Sequence, residues 1–224
     1  MKRHGKDYTF ALVGEPTSMQ VVHVTKGSLW ATLRATGKAA HSSQPERGEN
    51  AILKLTRALD QLDTHLGGEL ATFIHPVLGR STMNVGMIRG GARPNIVPDL
   101  AEAEIDIRIT PALAAAGGAL KLLTETIEFH DLKVEIVKPH ENPPMETAAD
   151  HPMIQALLAT DPMTGLAGAP WFSDAAHLSN GGIPSVCIGP GSIDQAHTID
   201  EFIEIAALEK GAAFFSAFIA GLGK

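Results

Sequence analysis

Cysteine, tyrosine and tryptophan are scarce in this 224-residue chain, which has one, one and two of them respectively. A single cysteine excludes a disulfide framework within the chain. Cys187 lies inside the apolar run IPSVCIG, which is typical of a buried strand. We therefore expect Cys187 to be a small core side chain rather than a nucleophile.

The chain also lacks an excess of positive charge and any long apolar run. Its 18 Lys and Arg residues are outnumbered by 25 Asp and Glu residues, and no cluster of basic and aromatic residues occurs along it. Nucleic acid is therefore not an expected partner. No apolar stretch approaches the ~18 residues that a membrane span requires, so a membrane is not an expected partner either. The cytoplasm is the expected location.

Hydrophobic periodicity predicts a β-α-β-β-α-β unit in the middle of the chain. Its strands alternate apolar and polar residues, and its first helix places leucines at helical spacing. The strands are predicted at residues 27–37, 81–90, 100–110 and 132–138, and the helices at 51–66 and about 113–128. This order predicts an open ferredoxin-like sheet of α+β type with helices on one face.

The residues on both sides of that unit predict a second domain, of the α/β class. A short buried strand is predicted at 8–14, and a linker is predicted at 139–147. Beyond the linker we expect a helix at 151–160, a loop rich in Gly and Pro, a strand at 184–189 and a helix at 201–221. The simplest arrangement is a parallel-sheet domain formed by residues 1–23 and 140–224, into which residues 24–139 are inserted.

Four side chains could carry chemistry, and each has an ordinary explanation when it is taken alone. Glu15 follows a buried strand, at the edge where open α/β sheets bind ligands, but it could equally serve a turn or cap a helix. His41 and His197 lie in polar loops, where an imidazole can bind zinc or simply face solvent. Arg108 projects from the polar face of a strand, where a cross-strand ion pair would account for it.

Taken together, several motifs resemble the successive landmarks of the M20 metallopeptidase family. They are GEPTSMQ, GKAAHSSQPERGENAI, MNVGMIRGGARPNIVPD with AEIDIRIT, and GPGSIDQAHTIDEFIEI. The first and the last are most similar to the acetylornithine deacetylase branch of that family. The resemblance implies a hydrolase that removes an N-acyl group from an amino acid. An M20 carboxypeptidase or a succinyl-diaminopimelate desuccinylase-like enzyme is the alternative within the family.

The resemblance also implies a zinc-peptidase-like catalytic domain, present in part, and an inserted lid that forms a homodimer. It implies two zinc ions, which cobalt can replace, with Glu15 as a ligand of one metal and His197 as a ligand of the other. His41 corresponds to a catalytic histidine that reaches the active site of the partner subunit. The positions that correspond to substrate contacts are Arg108, Asn95, Asn84, Lys26, Gly191 and Ser192. The guanidinium of Arg108 would suit the substrate carboxylate.

Part of the family's metal site has no counterpart in this sequence. M20 enzymes also use a His-x-Asp pair, a bridging Asp and adjacent glutamates, all of which precede the GEP motif. None of the ten histidines here is followed two residues later by Asp, and the sequence contains no Glu-Glu pair. We therefore expect the chain to be the C-terminal part of an M20 hydrolase and inactive by itself. A non-catalytic dimerisation or regulatory module is the alternative.

Overall fold

The computed structural model describes residues 8–196 and 198–222. Within them the chain divides into two compact units. Unit 1 comprises the residues up to Lys26 and those from Pro143 onward, and unit 2 comprises Gly27–Asn142. In the described residues, no helix combines the length and the apolar character that a membrane span requires.

Both units contain strands and helices. The strands are β1 (Ala11–Val13), β2 (Val21–Thr25), β3 (Gly27–Thr36), β4 (Ile74–His75), β5 (Gly79–Arg80), β6 (Thr82–Gly90), β7 (Leu100–Ile109), β8 (Glu135–Asn142), β9 (Met145–Glu146), β10 (Leu166–Ala169) and β11 (Ser185–Cys187). The helices are α1 (Ala51–Leu70), α2 (Pro111–Ala115), α3 (Ala119–Phe129), α4 (Pro152–Thr160), α5 (Ala175–Asn180) and α6 (Ile205–Gly221).

Unit 2 contains a four-stranded antiparallel sheet in the order β6-β7-β3-β8. β3 and β7 pair along their whole length, from Gly27 opposite Ile109 to Thr36 opposite Leu100. From Leu29 to Ala35 and from Ala101 to Ile109, the odd-numbered residues are buried in one core with the apolar sides of α1 and α3. The even-numbered residues between them lie on the open face. The predicted β-α-β-β-α-β order and the ferredoxin-like fold are confirmed.

The helix predicted at 113–128 is in fact two helices, α2 and α3. Gly117 and Gly118 separate them with φ values of +116° and +90°, a backbone conformation that interrupts a right-handed helix. The carboxylate of Glu141 accepts hydrogen bonds from the N–H groups of Ala119 and Leu120, at 3.2 Å and 2.8 Å. This side chain therefore caps the first turn of α3.

The linker predicted at 139–147 is wrong, because β8 continues to Asn142 and β9 follows it. Lys138 adopts a φ of +50° at a β-bulge opposite β3, and the pairing resumes beyond the bulge. Asn142 is buried and its amide donates a hydrogen bond of 3.2 Å to Oγ of Ser28, while Met145 is fully buried. Proline and polar residues suggested a loop, but strand pairing and burial hold this segment in place.

The main sheet of unit 1 is mixed rather than parallel, in the order β1-β11-β2-β10 with β9 paired to β2. β1 is parallel to β11 and β2 is parallel to β10, whereas β11 and β2 are antiparallel. Only residues 14–20 connect β1 to β2, too few for the crossover that a parallel arrangement needs. Ser18 and Met19 turn the chain back with φ values of +53° and +61°.

Several elements of unit 1 lack a clear signal in the sequence. β10 and α5 lie in the segment predicted as a Gly/Pro-rich loop, and α6 begins at Ile205 rather than at residue 201. The helices α4 and α6 pack against the sheet through a core that includes Ile154, Leu157 and Phe214. The mixed α/β class of the chain is confirmed, with a ferredoxin-like second unit.

Candidate functional site

Two loops of unit 1 meet at one edge of its sheet. Because β1 and β11 are parallel, their carboxyl ends lie at the same edge. Glu15 comes two residues after β1, and Gly189–Ser192 begins two residues after the end of β11. The N–H of Met19 donates to the carbonyl of Gly189 at 2.9 Å, and the N–H of Ser18 donates to that of Gly191 at 2.7 Å. The structure therefore brings Glu15, Gly191 and Ser192 together.

The close approach of these loops depends on two glycines. A Cβ atom at Gly189 would lie 2.6 Å from the backbone oxygen of Glu15, so no larger residue fits there without movement of the backbone. Gly191 has a φ of +85°, which other residues rarely adopt. The GPG sequence is thus explained by backbone packing against the Glu15 turn.

A cavity of about 710 Å³ opens beside these loops. Its walls are formed by Gly14, Glu15, Pro16, Ile188, Gly189, Pro190, Gly191, Ser192, Gln195, Ala196, Glu201, Phe202, Ile203 and Phe215. The lining is mostly apolar with a few polar groups, as is common for small-molecule sites.

The carboxylate of Glu15 is held by a buried serine. Oγ of Ser173 donates a hydrogen bond of 2.9 Å to Oε1 of Glu15 and accepts one of 3.3 Å from the N–H of Ala175. Ser173 is only 3% exposed. Sequence reasoning missed this residue, since a serine just before a short helix indicates a helix cap and nothing in the sequence connects it with Glu15.

Cys187 lies beside the same pair of residues. The pKa of its thiol is raised to about 11, chiefly by burial; a hydrogen bond with Ser173 acts to lower it, and the negative charge of Glu15 acts to raise it. At neutral pH this cysteine is therefore a protonated thiol in the core, which agrees with the small buried side chain expected from the sequence.

The described residues do not complete a metal site. In the described part of the chain, no group of three His, Cys, Asp or Glu side chains is placed to hold a metal ion around Glu15 or elsewhere. Catalytic zinc ordinarily has three protein ligands. His197, the other predicted ligand, lies outside the described residues.

Lys26 lies at the opposite edge of the unit 1 sheet from Glu15. It follows β2, which runs against β1 and β11, and its N–H donates to the carbonyl of Ala169 at 3.2 Å. Counting residues from the pairing of Cys187 with Val22, Lys26 and Glu15 are about 20 Å apart along the strand direction. Unit 1 therefore does not bring Lys26 to the cavity beside Glu15.

In unit 2 the structure brings His41 and Asn95 together. Their loops pair as a short antiparallel ladder in which His41 is opposite Ile96. The N–H of Ser42 donates to the carbonyl of Asn95 at 3.1 Å, and the N–H of Val97 donates to that of Ala40 at 2.9 Å. The imidazole of His41 is exposed to solvent.

Arg108 and Asn84 share the open face of the unit 2 sheet. Asn84 is opposite Asp106 in the pairing of β6 with β7, and Arg108 is two residues further along β7. Oδ2 of Asp106 accepts hydrogen bonds from Nη2 of Arg108 at 2.8 Å and from Nε1 of Trp30 at 3.0 Å. The predicted carboxylate clamp is therefore oriented by an acidic neighbour on its own strand.

These two pairs of residues lie at opposite ends of the sheet. Arg108 is at the end where the chain enters and leaves the unit, next to Ser28 and Thr82. His41 and Asn95 are beyond the other end, where Thr36 pairs with Leu100. The eight residue-to-residue steps along β7 from Leu100 to Arg108 span about 26 Å. A single unit 2 therefore cannot place His41 and Arg108 around one small substrate.

Comparisons with known proteins identify the relatives of this chain. Residues 24–135 match the M20 peptidase dimerisation domain. The chain is 34% identical over 210 residues to an acetylornithine deacetylase of Proteus mirabilis. This alignment covers 89% of this chain and 53% of that protein. It is 32% identical over 205 residues to an acetylornithine deacetylase of Vibrio cholerae, with 87% and 52% covered. The chain thus spans about half the length of these relatives.

Solved structures share the fold. An M20 family metallo-carboxypeptidase from Sulfolobus solfataricus superposes with a TM-score of 0.78 at 17% identity, over 97% of this chain and 65% of the other. A tripeptidase from Staphylococcus aureus superposes with a TM-score of 0.74 at 22% identity, over 94% and 56%. With the match to the dimerisation domain over half of its length, the chain belongs to the M20 peptidase family of hydrolases.

Proposed function

We propose that this chain is the substrate-binding and dimerising part of a metal-dependent amidohydrolase that removes the acyl group from an N-acyl amino acid, with N-acetylornithine as the favoured substrate. The observation that carries the proposal is the edge of unit 1, where Glu15 and the Gly191–Ser192 loop line one cavity. The names of the relatives with about a third of their residues identical support the substrate class.

In this proposal Glu15 and His197 each supply one ligand to a pair of zinc ions. The metals would polarise the amide carbonyl and activate water when bound. Oε1 of Glu15 faces Ser173, which leaves Oε2 as the atom to face a metal. The other ligands and the general base would come from the part of the enzyme that corresponds to the half of the relatives that this chain does not span.

Substrate recognition is assigned to residues of unit 2. Arg108 would bind the α-carboxylate of the substrate with two parallel hydrogen bonds, and Asn84 shares its face of the sheet. Lys26 is not part of this proposal, because in unit 1 it lies about 20 Å along the strand direction from Glu15. Because His41 and Asn95 lie at the far end of the sheet, we propose that they act on the substrate bound by a second copy of the chain.

The second copy explains the placement of His41 through the twofold symmetry of a homodimer. In a twofold dimer, the end of each unit 2 that carries His41 and Asn95 would reach the substrate of the other subunit. Two complete sites then form from two incomplete ones. His41 would donate a hydrogen bond to the carbonyl oxygen of the scissile amide as negative charge develops there. Asn95, which lies on the paired loop, would accompany it.

The test is an enzyme in which this chain is completed with the half of the Proteus mirabilis relative that it does not span. The completed enzyme, loaded with zinc, should hydrolyse N-acetylornithine, whereas the chain alone should not. Preference for dipeptides would favour the carboxypeptidase alternative, and preference for N-succinyl-diaminopimelate the desuccinylase alternative. A completed enzyme that holds two metal ions yet cleaves none of these amides would indicate a non-catalytic dimerisation module.

A further inference from the structure

Backbone hydrogen bonds hold the loop that carries His41 at its base and at its tip. At its base, Lys38 and Glu49 exchange two backbone hydrogen bonds of 2.9 Å each. At its tip, the N–H of Gln44 closes a turn on the carbonyl of His41 at 2.9 Å. The ladder with Ile96 supports the residues between. The backbone around His41 is therefore held in one conformation although the imidazole is exposed.

Ser43 makes two contacts with one nitrogen of that imidazole. Its backbone N–H donates to Nδ1 of His41 at 3.2 Å, and its Oγ lies 2.7 Å from the same atom. A backbone N–H can only donate, so Nδ1 must accept and cannot carry a proton in this arrangement. The hydroxyl of Ser43 must then donate as well, and the proton of the neutral ring lies on Nε2.

We propose that Ser43 is a positioning residue that holds His41 as the Nε2–H tautomer and directs this N–H away from the loop. The inference rests on the proposed function for its purpose, because a histidine that stabilises a developing oxyanion must present a proton. The two donors of Ser43 occupy Nδ1, which leaves Nε2–H as the side of the ring that a substrate can meet. Sequence reasoning treated Ser43 only as part of a polar loop.

The tautomer can be measured directly on the 224-residue chain. In a ¹⁵N-labelled sample at about pH 8.5, where imidazoles are neutral, long-range proton–nitrogen NMR distinguishes a protonated ring nitrogen from an accepting one. The signals of His41 are identified by their loss in His41→Gln. We expect Nδ1 of His41 to resonate as an acceptor and Nε2 as a protonated nitrogen.

Variants of the two adjacent serines separate the effect of Ser43 from that of the loop. Ser43→Ala removes the hydroxyl donor, so the two nitrogen shifts of His41 should move toward each other as the tautomers mix. Ser43→Thr retains the hydroxyl and should keep the wild-type shifts. Ser42→Ala is the matched control and should leave them unchanged. A wild-type chain with protonated Nδ1 would overturn the proposal. Ser43→Ala shifts equal to the wild-type shifts would overturn the role of the hydroxyl, because the backbone N–H of residue 43 would then hold the tautomer alone.

Kinetics on the completed enzyme distinguish this inference from the proposed function. Ser43→Ala should lower kcat by about three- to tenfold, the range expected for one neutral hydrogen bond, with little change in KM. Ser43→Thr should restore kcat. If the NMR shifts behave as expected and kcat does not change, Ser43 sets the tautomer but His41 is not the donor in the reaction. That result would refute the role of His41 and leave the tautomer assignment standing.

Discussion

The hydroxyl of Ser173 donates a hydrogen bond of 2.9 Å to Oε1 of Glu15, and both residues come from segments far apart in the sequence. Glu15 follows β1, whereas Ser173 precedes α5. The bond links the turn at the start of the GEPTSMQ motif to the residues just before α5, a helix that the sequence did not predict. It leaves one carboxylate oxygen of Glu15 for the cavity.

Loss of this hydroxyl should destabilise unit 1. In Ser173→Ala, Oε1 of the half-buried Glu15 loses a partner, and so does the buried N–H of Ala175. We expect the free energy of unfolding to fall by about 1–2 kcal/mol. Urea unfolding should be followed by Trp171 fluorescence in a Trp30→Phe background, because the chain has two tryptophans and Trp30 belongs to unit 2.

Ser216→Ala is the matched control for that measurement. Ser216 is exposed on α6, and its hydroxyl donates only to the carbonyl of Ala212 in the same helix, at 2.8 Å. We expect a change within about 0.5 kcal/mol. Equal effects of the two substitutions would show that the bond between Ser173 and Glu15 contributes nothing specific to unit 1.

The buried thiol of Cys187 should make stability depend on pH in the alkaline range. Its pKa is about 11 in the folded chain against an ordinary value of 9.0, so the unfolded thiol loses its proton first. The free energy of unfolding should therefore fall as the pH rises from about 9 to 11, by about 2 kcal/mol. Cys187→Ala should remove this part of the pH dependence, and the difference between the two curves isolates the thiol from lysines and Tyr8.

Alkylation gives an independent measure of the same thiol. At about pH 8 the folded chain should react with iodoacetamide far more slowly than the urea-unfolded chain, because burial keeps the thiol protonated and out of reach. Rapid modification of the folded chain at that pH would contradict the buried position of Cys187.

Arg108 should control substrate affinity through its charge. In the completed enzyme, Arg108→Ala removes a charged hydrogen-bonding group from the substrate carboxylate, so KM should rise by about ten- to hundredfold. Arg89→Ala is the control, because Arg89 is an exposed arginine that pairs with Glu104 on the neighbouring part of the sheet. An equal rise in KM for both variants would show that general charge, and not Arg108, attracts the substrate.

The sequence predicted unit 2 well because its pattern is local. Alternation along β3 and β7 separates a buried face from a polar face, and that alternation placed Arg108 on the open side. The sequence suggested a cross-strand ion pair for Arg108, whereas its partner Asp106 is two residues away on the same strand. A pattern of period two identifies a shared face, but which neighbours on that face pair with each other is decided by side-chain packing.

Unit 1 was predicted less completely because its sheet is assembled from distant segments. β2 is buried at every position and so has no alternation that would mark it as a strand, and β10 is only four residues long. The position of Glu15 at a sheet edge could be inferred from the strand before it, yet Ser173 could not. A polar contact between residues 158 positions apart leaves no periodic signal in the sequence.

Mixing two inactive variants tests whether His41 acts across a dimer. In the completed enzyme, His41→Ala should lower kcat by about 10²–10³, since it removes a donor to the developing oxyanion, and should retain its metal. His197→Ala should lose metal. Metal analysis of each purified variant provides the control for this distinction.

Subunit exchange between these variants should restore activity. Random pairing makes half of the dimers mixed, and each mixed dimer has one site that combines an intact metal cluster with an intact His41 from the partner. The mixture should therefore approach about a quarter of wild-type activity. The 26 Å or so between the two ends of the unit 2 sheet is the physical reason to expect this, because it prevents His41 and Arg108 of one subunit from meeting around one substrate. If exchange is demonstrated by mass-labelled subunits and the mixture stays inactive, His41 does not act on the partner's substrate.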